Sequence, residues 1–319
     1  MIKELTIKEI LEKQNSEVKT DSFLVKNTSR ALTSKGNPYL TITLQDLSGT
    51  TVSKFWNPTE SDLAEIKAGV FILAQYSVGS YNEQPQLNIV KILQIATIDN
   101  DEIDIGKYTL ATEYDISFLK KEIKTAISNL KNPNIKAITL GVFKDAGIKF
   151  FEHPAATSVH HDFAGGLAQH TYEMVQLGYK VCEVFPDLNQ DLIIAGALLH
   201  DAAKTVELSG ALGCEYTSIG KLLGHITMCQ AYVYNIAKTM GLHHTNECLY
   251  LQHMVISHHG ELEYGSPVRP MFREAMILNQ IDGISAKYNT MTKAISETEE
   301  NGWSSRIPAL GREVLNVKL

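Results

Sequence analysis

The chain has 319 residues, a formal charge of −7, and 44% hydrophobic against 20% charged residues, a balance that fits one to three soluble globular domains. No apolar run approaches the roughly 20 residues a bilayer crossing needs, and the mixed-charge start MIKELTIKEILEKQ lacks a signal-peptide stretch, so a cytoplasmic protein with no membrane partner is expected. The four cysteines (Cys182, Cys214, Cys229, Cys248) form no CxxC pair and are expected as buried thiols in a reducing compartment.

In chain order, residues 1–98 have the periodicity of strands. Tyr39–Asp46 alternates Leu40, Ile42 and Leu44 against Tyr39, Thr41 and Thr43; a Leu-Ser-Gly turn follows, then a second alternating run, Thr51–Trp56. With Ser22–Lys26, Val70–Val78 and Gln86–Ile95 this makes five strands, with a short helix (Ser61–Lys67) between the third and fourth. That order predicts an OB-like barrel, a fold that binds single strands on aromatic platforms in a basic groove. Tyr39, Phe55, Trp56, Tyr76 and Tyr81 are the aromatic candidates; of these, Tyr39 and Trp56 are chosen as substrate-binding residues. The segment is electrically neutral, with 10 Lys+Arg and 10 Asp+Glu, so it has no bulk cationic footprint.

Residues 99–115 are acidic and polar and predict a linker. From residue 116 to 319 the apolar spacing becomes helical, which predicts an all-α second domain with a polar C-terminal tail. Helices are expected over Ile116–Leu130, Ile135–Ala146, Gly166–Phe185, Asp191–Glu207, Lys221–Met240, Asn246–His259 and Arg273–Tyr288.

All 11 histidines lie between His153 and His259. Five places combine imidazole or carboxylate with an apolar helical setting: His170, His200-Asp201, His225, His258-His259 and Asp282. A lone histidine on an apolar face is more often a hydrogen-bonded core residue than a ligand. A buried carboxylate, however, is costly unless it is paired or bound to metal. Several such groups on successive helices point to a shared metal site. Lys204 follows His200 by one turn, on the same face. His161-Asp162 is a second HD dipeptide; it precedes a glycine-rich loop, and His160 and His161 are expected at the pocket mouth or on substrate. Arg269 is a candidate phosphate clamp.

The ordered pattern H…HD…H…HH…D resembles the HD superfamily of metal-dependent phosphohydrolases. The resemblance implies a first metal held by His170, His200, Asp201 and Asp282. It implies a second held by His225 and His258, or His259 in place of His258, with Asp201 bridging. A barrel followed by an HD region bearing GGLAQHT, ALLHDAAK, GHI and ISHHGELEYGSP is similar, over essentially the whole chain, to the YhaM-type 3′–5′ exoribonucleases. The expected protein is therefore a metal-dependent exonuclease with Asp201 and Lys204 as catalytic groups. It would degrade single-stranded RNA, and single-stranded DNA as a second substrate, to nucleoside monophosphates, and would act as a homo-oligomer. Two divalent cations suit phosphodiester hydrolysis, and imidazole-rich donors favour Mn²⁺, Fe²⁺ or Co²⁺ over magnesium, with Mn²⁺ preferred here. Two rivals stay open: an HD phosphohydrolase of a free or cyclic nucleotide, and a non-catalytic DNA-binding replication factor.

Overall fold

The computed structural model describes residues 1–13, 16–81, 84–97, 103–109, 111–157, 161–212 and 214–318; the side chains of Tyr81 and Ile105 are also outside the description. His160 falls outside the described residues. The chain divides into two compact units: residues 1–111 with 209–215, and residues 112–208 with 216–319.

The first unit is a closed barrel of five strands: β1 (Lys19–Leu32), β2 (Pro38–Asp46), β3 (Gly49–Trp56), β4 (Phe71–Tyr81) and β5 (Gln84–Ala96). They run β1-β2-β3-β5-β4 around the barrel and close through an antiparallel β1–β4 pairing. β3 and β5 pair in parallel. This is the OB arrangement that the strand spacing predicts. Leu40, Ile42 and Leu44 of β2 are buried, as their alternation requires, and join Phe23, Ile72, Leu87 and Ile89 in one core. A helix α1 (Ile7–Lys13) adds Ile7 and Ile10 to it. A second helix, α2 (Glu60–Glu65), starts at a capping box formed by Thr59 and Asp62.

The second unit is helical. Its helices are α3 (Ile116–Asn129), α4 (Pro133–Ala146), α5 (Lys149–Glu152), α6 (Gly166–Val184), α7 (Gln190–Leu199), α8 (Lys204–Glu207), α9 (Ser218–Thr239), α10 (Asn246–Ser257) and α11 (Arg273–Ser296). Every residue from Asp191 to Leu199 is buried, so α7 is the central helix, with α4, α6, α10 and α11 packed around it. A helix that is apolar all round has no solvent face to offer. Asn189 caps its start by accepting a hydrogen bond from the Leu192 N–H at 3.1 Å.

The expected helix over Asp191–Glu207 is interrupted. The Leu199 carbonyl accepts from the Cys229 thiol at 2.8 Å and from the Ala202 N–H at 3.0 Å. Lys204 N–H then bonds Asp201 O at 2.9 Å, so residues 200–203 form tight turns rather than an α-helical turn. The interruption puts the His200-Asp201 pair at a helix end. The final helix runs on to Ser296, beyond the expected Tyr288. The tail then folds back on itself through bridges Trp303–Leu315 and Ile307–Arg312. No helix among the described residues is long and apolar enough to cross a membrane.

Candidate metal centre

Five helical segments deliver the site. α6 carries His170 one turn after Leu167 and one before Met174, and all three are fully buried. The turn after α7 supplies His200 and Asp201. α9 supplies His225, and the end of α10 supplies His258 and His259. α11 supplies Asp282, next to the buried Ile281.

Asp201 sits in the middle, 3% exposed, with different neighbours at its two oxygens. Oδ2 lies 3.3 Å from His200 Nε2, 3.8 Å from His170 Nε2 and 2.8 Å from Lys204 Nζ. Oδ1 lies 3.3 Å from His225 Nε2 and 3.8 Å from His258 Nε2. Asp282 Oδ1 joins the first group, 3.2 Å from His170 Nε2. His259 joins the second: its ring centroid is 4.4 Å from that of His258 and 5.4 Å from that of His225. Among the described residues three sets of donors lie close enough together to share an ion; His170/His200/Asp201 and His225/His258/His259 meet at Asp201, and His161/His170/Glu173 lies behind them.

The rings are all turned the same way. His200, His258 and His259 place Nδ1 at 3.0, 2.6 and 2.8 Å from the carbonyls of Ala197, Val255 and Tyr264. A carbonyl only accepts, so each Nδ1 carries a proton and each Nε2 is left to face Asp201 or its neighbours. His170 Nδ1 lies 3.0 Å from Ser285 Oγ, and His225 Nδ1 lies 2.9 Å from Glu207 Oε1. Metal-ligating histidines make this outward hydrogen bond almost without exception.

The inner atoms are short of hydrogen-bond partners. Asp201 Oδ1, His225 Nε2 and His258 Nε2 are buried without one. His170 Nε2 and His200 Nε2 are 3.2 Å apart, which sets two lone pairs against each other when both rings are neutral. A cation or a proton must lie between such atoms. Burial keeps His258 neutral, well below its ordinary pKa, helped by His200 and His259; it also lowers His170. For His200 burial opposes the charged ring, but the Asp201 and Asp282 carboxylates outweigh it and raise the pKa. Asp201 is held far below the usual carboxylate range: burial opposes its charge, and Lys204 and His200 overcome that. Asp282 is lowered too, burial being outweighed by His170, His200 and His258. This donor set, nitrogen and carboxylate with unsatisfied inner atoms, fits divalent transition cations.

A cleft of about 640 Å³ opens on the site. Asp201, Lys204, His259 and Asp282 line it together with Tyr264, Asn279 and Lys287. Lys204 is 8% exposed; burial opposes its charge, and Asp201 outweighs that and raises its pKa.

Other expected site residues fall elsewhere. His161 is 0% exposed, and its Nε2 pairs with Glu173 Oε2 at 3.1 Å, so it lies behind His170 rather than at an opening. Asp162 pairs with Lys293 Nζ at 2.8 Å. Arg269 is on the surface, its Nε 2.7 Å from Glu261 Oε2. In the barrel, Phe55 and Tyr76 are core residues, whereas Trp56 is 49% exposed and its ring lies 4.9 Å from that of Tyr39. Lys54 Nζ sits 4.8 Å from the Tyr39 ring centroid. Glu207, Glu173 and Ser285 are parts of the centre that the sequence reading missed.

A family model described as the HD domain matches residues 167–287, which includes every proposed metal ligand. The 3′–5′ exoribonuclease YhaM of Bacillus pumilus (strain SAFR-032) is 35% identical over 288 residues, covering 90% of this chain and 91% of that protein. YhaM of Bacillus subtilis (strain 168) is 34% identical over 288 residues, with 90% and 91% covered. YhaM of Listeria monocytogenes serotype 4b (strain CLIP80459) is 34% identical over 285 residues, with 89% and 90% covered. Identity at this level, running through barrel and helical unit alike, means that the chain belongs to the YhaM family of 3′–5′ exoribonucleases.

Proposed function

We propose that this nuclease shortens single-stranded RNA from its 3′ end, with single-stranded DNA as a second substrate, and releases nucleoside monophosphates through a two-metal centre. The observation that carries the reading is the Asp201 carboxylate, which turns one oxygen to His170 and His200 and the other to His225 and His258. His170, His200, Asp201 and Asp282 would hold one cation. His225, His258 and His259 would hold the other, with Asp201 shared. Divalent ions there, Mn²⁺ ahead of Fe²⁺ or Co²⁺, would supply an activated water and Lewis-acid stabilisation of the phosphate charge.

The protein's own groups do the rest. The imidazoles fix the donor geometry from a buried, pre-formed shell. Lys204 places a permanent positive charge at the cleft wall, where negative charge builds up as the phosphorus–oxygen bond to the penultimate ribose breaks. Tyr39, Trp56 and Lys54 give the barrel a stacking face for unpaired bases. The exposed Leu222, Met271 and Trp303 support self-association, and the reduced-thiol composition supports a cytoplasmic setting.

The test is a 5′-labelled RNA strand incubated with Mn²⁺. A ladder that shortens steadily from the 3′ end is expected, with little turnover of free or cyclic nucleotides. Asp201→Asn should abolish hydrolysis while the strand still binds. Full activity in that variant after chelation and reloading with Mn²⁺ would rule the mechanism out.

A further inference from the structure

What lies behind each imidazole differs. Behind His200, His258 and His259 are neutral backbone carbonyls. Behind His225 is a carboxylate, and behind His170 a hydroxyl that is itself bonded to one. Glu207 Oε1 accepts from His225 Nδ1 at 2.9 Å and from the His225 backbone N–H at 2.9 Å. Ser285 Oγ donates its one proton to Glu173 Oε2 at 2.7 Å, so its oxygen accepts from His170 Nδ1 at 3.0 Å. Glu173 is held in turn by Gln169 Nε2 at 2.9 Å and His161 Nε2 at 3.1 Å. His225 is on the Oδ1 side of Asp201 and His170 on the Oδ2 side. Each half of the centre thus has one ligand backed by an anion.

We propose that Glu207 and Glu173 are positioning residues, one for each half of the centre. They fix His225 and His170 as Nδ1–H tautomers and strengthen the Nε2 donor that each presents to a divalent cation. The proposal rests on the two-metal reading above. A carboxylate behind a ligating imidazole sets ring orientation and raises ligand basicity. The backbone around Glu207 is shaped for this. Thr217 donates its N–H to Glu207 O at 2.9 Å and its hydroxyl to Val206 O at 2.8 Å. A Cβ at Gly220 would lie 2.2 Å from the Glu207 carbonyl oxygen, so only glycine lets α9 lie this close to α8. Gly224 then breaks the helical path of α9 immediately before His225, and the N–H of His225 goes to the carboxylate.

The experiment is a Mn²⁺ titration of the full-length, chelator-stripped protein, with free Mn²⁺ followed by electron paramagnetic resonance. Glu207→Gln and Glu173→Gln keep an oxygen acceptor and the side-chain volume but lose the charge. Each is expected to weaken Mn²⁺ binding about 10–100-fold, more than any fall in the metal-free melting temperature accounts for. Glu207→Asp, which keeps the charge, should recover part of the loss. Wild-type affinity in both glutamine variants would overturn the proposal, as would losses that only track a fall in melting temperature. A second measurement needs no variant: ¹⁵N-histidine NMR of the metal-free protein should show His170 and His225 as Nδ1–H tautomers, and an Nε2–H form of either would refute it. Neither readout uses RNA, so a failure of the exonuclease reading would appear in the hydrolysis assay and not here.

Discussion

Lys204 shows at the residue scale how burial and charge divide the work. It cannot bind a cation, yet it is buried beside the carboxylate that two groups of histidines share. Lys204→Met is expected to lower kcat about 100–1,000-fold, the usual cost of losing one preorganised charge in a dry site. Bound Mn²⁺, measured by atomic absorption, should stay near wild type. Trp56 sits at the proposed strand-binding surface. Its exposed ring and the adjacent Tyr39 form the proposed stacking face, so Trp56→Ala should weaken RNA binding by about 1–3 kcal/mol, read by fluorescence anisotropy in chelator. The residue scale is also where sequence reading misplaced side chains. His161, expected at the pocket mouth, is fully buried with its Nε2 3.1 Å from Glu173, and Asp162 pairs with Lys293. Glu207 reads as an ordinary helix-end acid, since nothing in its spacing announces that His225, eighteen positions on, will lie against it.

Among the elements, α7 and α9 illustrate two ways a helix serves a site. α7 was legible because the eight residues Leu192–Leu199 form an unbroken apolar run, and its end is where the polar pair appears. α9 was legible in its apolar stripe but not in its break. Gly224 has φ 70° and ψ 154°, a region of backbone space essentially reserved for glycine. Gly224→Ala should therefore cost about 1–3 kcal/mol of stability, measured by urea unfolding, because a side chain there is strained. The variant should also bind Mn²⁺ more weakly than its stability loss explains, because the break directs the His225 N–H to Glu207. In the barrel, the alternation of β2 and the two-residue turn before β3 fixed the pairing that sets Tyr39 opposite Trp56.

For the whole molecule, the two units have separate hydrophobic cores, so metal binding should stabilise the helical one directly. Binding to the folded state alone adds about 4 kcal/mol when free metal is 1,000 times Kd. Chelation should then lower the melting temperature of the helical unit, as seen by calorimetry, and Mn²⁺ should restore it. Acid should act in the same unit. Burial opposes the charge on Glu173, but His161, Gln169 and Ser285 outweigh it and bring its pKa down to about 2 from 4.5. The unfolded chain binds this proton more readily, so the stabilisation is complete above about pH 4.5 and is lost as pH falls toward 2. Urea melts of the metal-free protein at pH 6 and pH 3.5 should show a smaller acid loss in Glu173→Gln than in the parent.

The sequence by itself determined the class of each unit and pointed to the proposed metal ligands. Strand and helix periods are local properties of side-chain spacing, and buried imidazoles and carboxylates stand out against an apolar background wherever they fall. Only the tertiary structure decided which ring nitrogen faces inward, which oxygen of Asp201 serves which histidines, and which acids stand behind them. The acids behind His225 and His170 depend on contacts between segments 18 to 115 positions apart, and a hydrogen bond over that separation leaves no periodic trace in the chain.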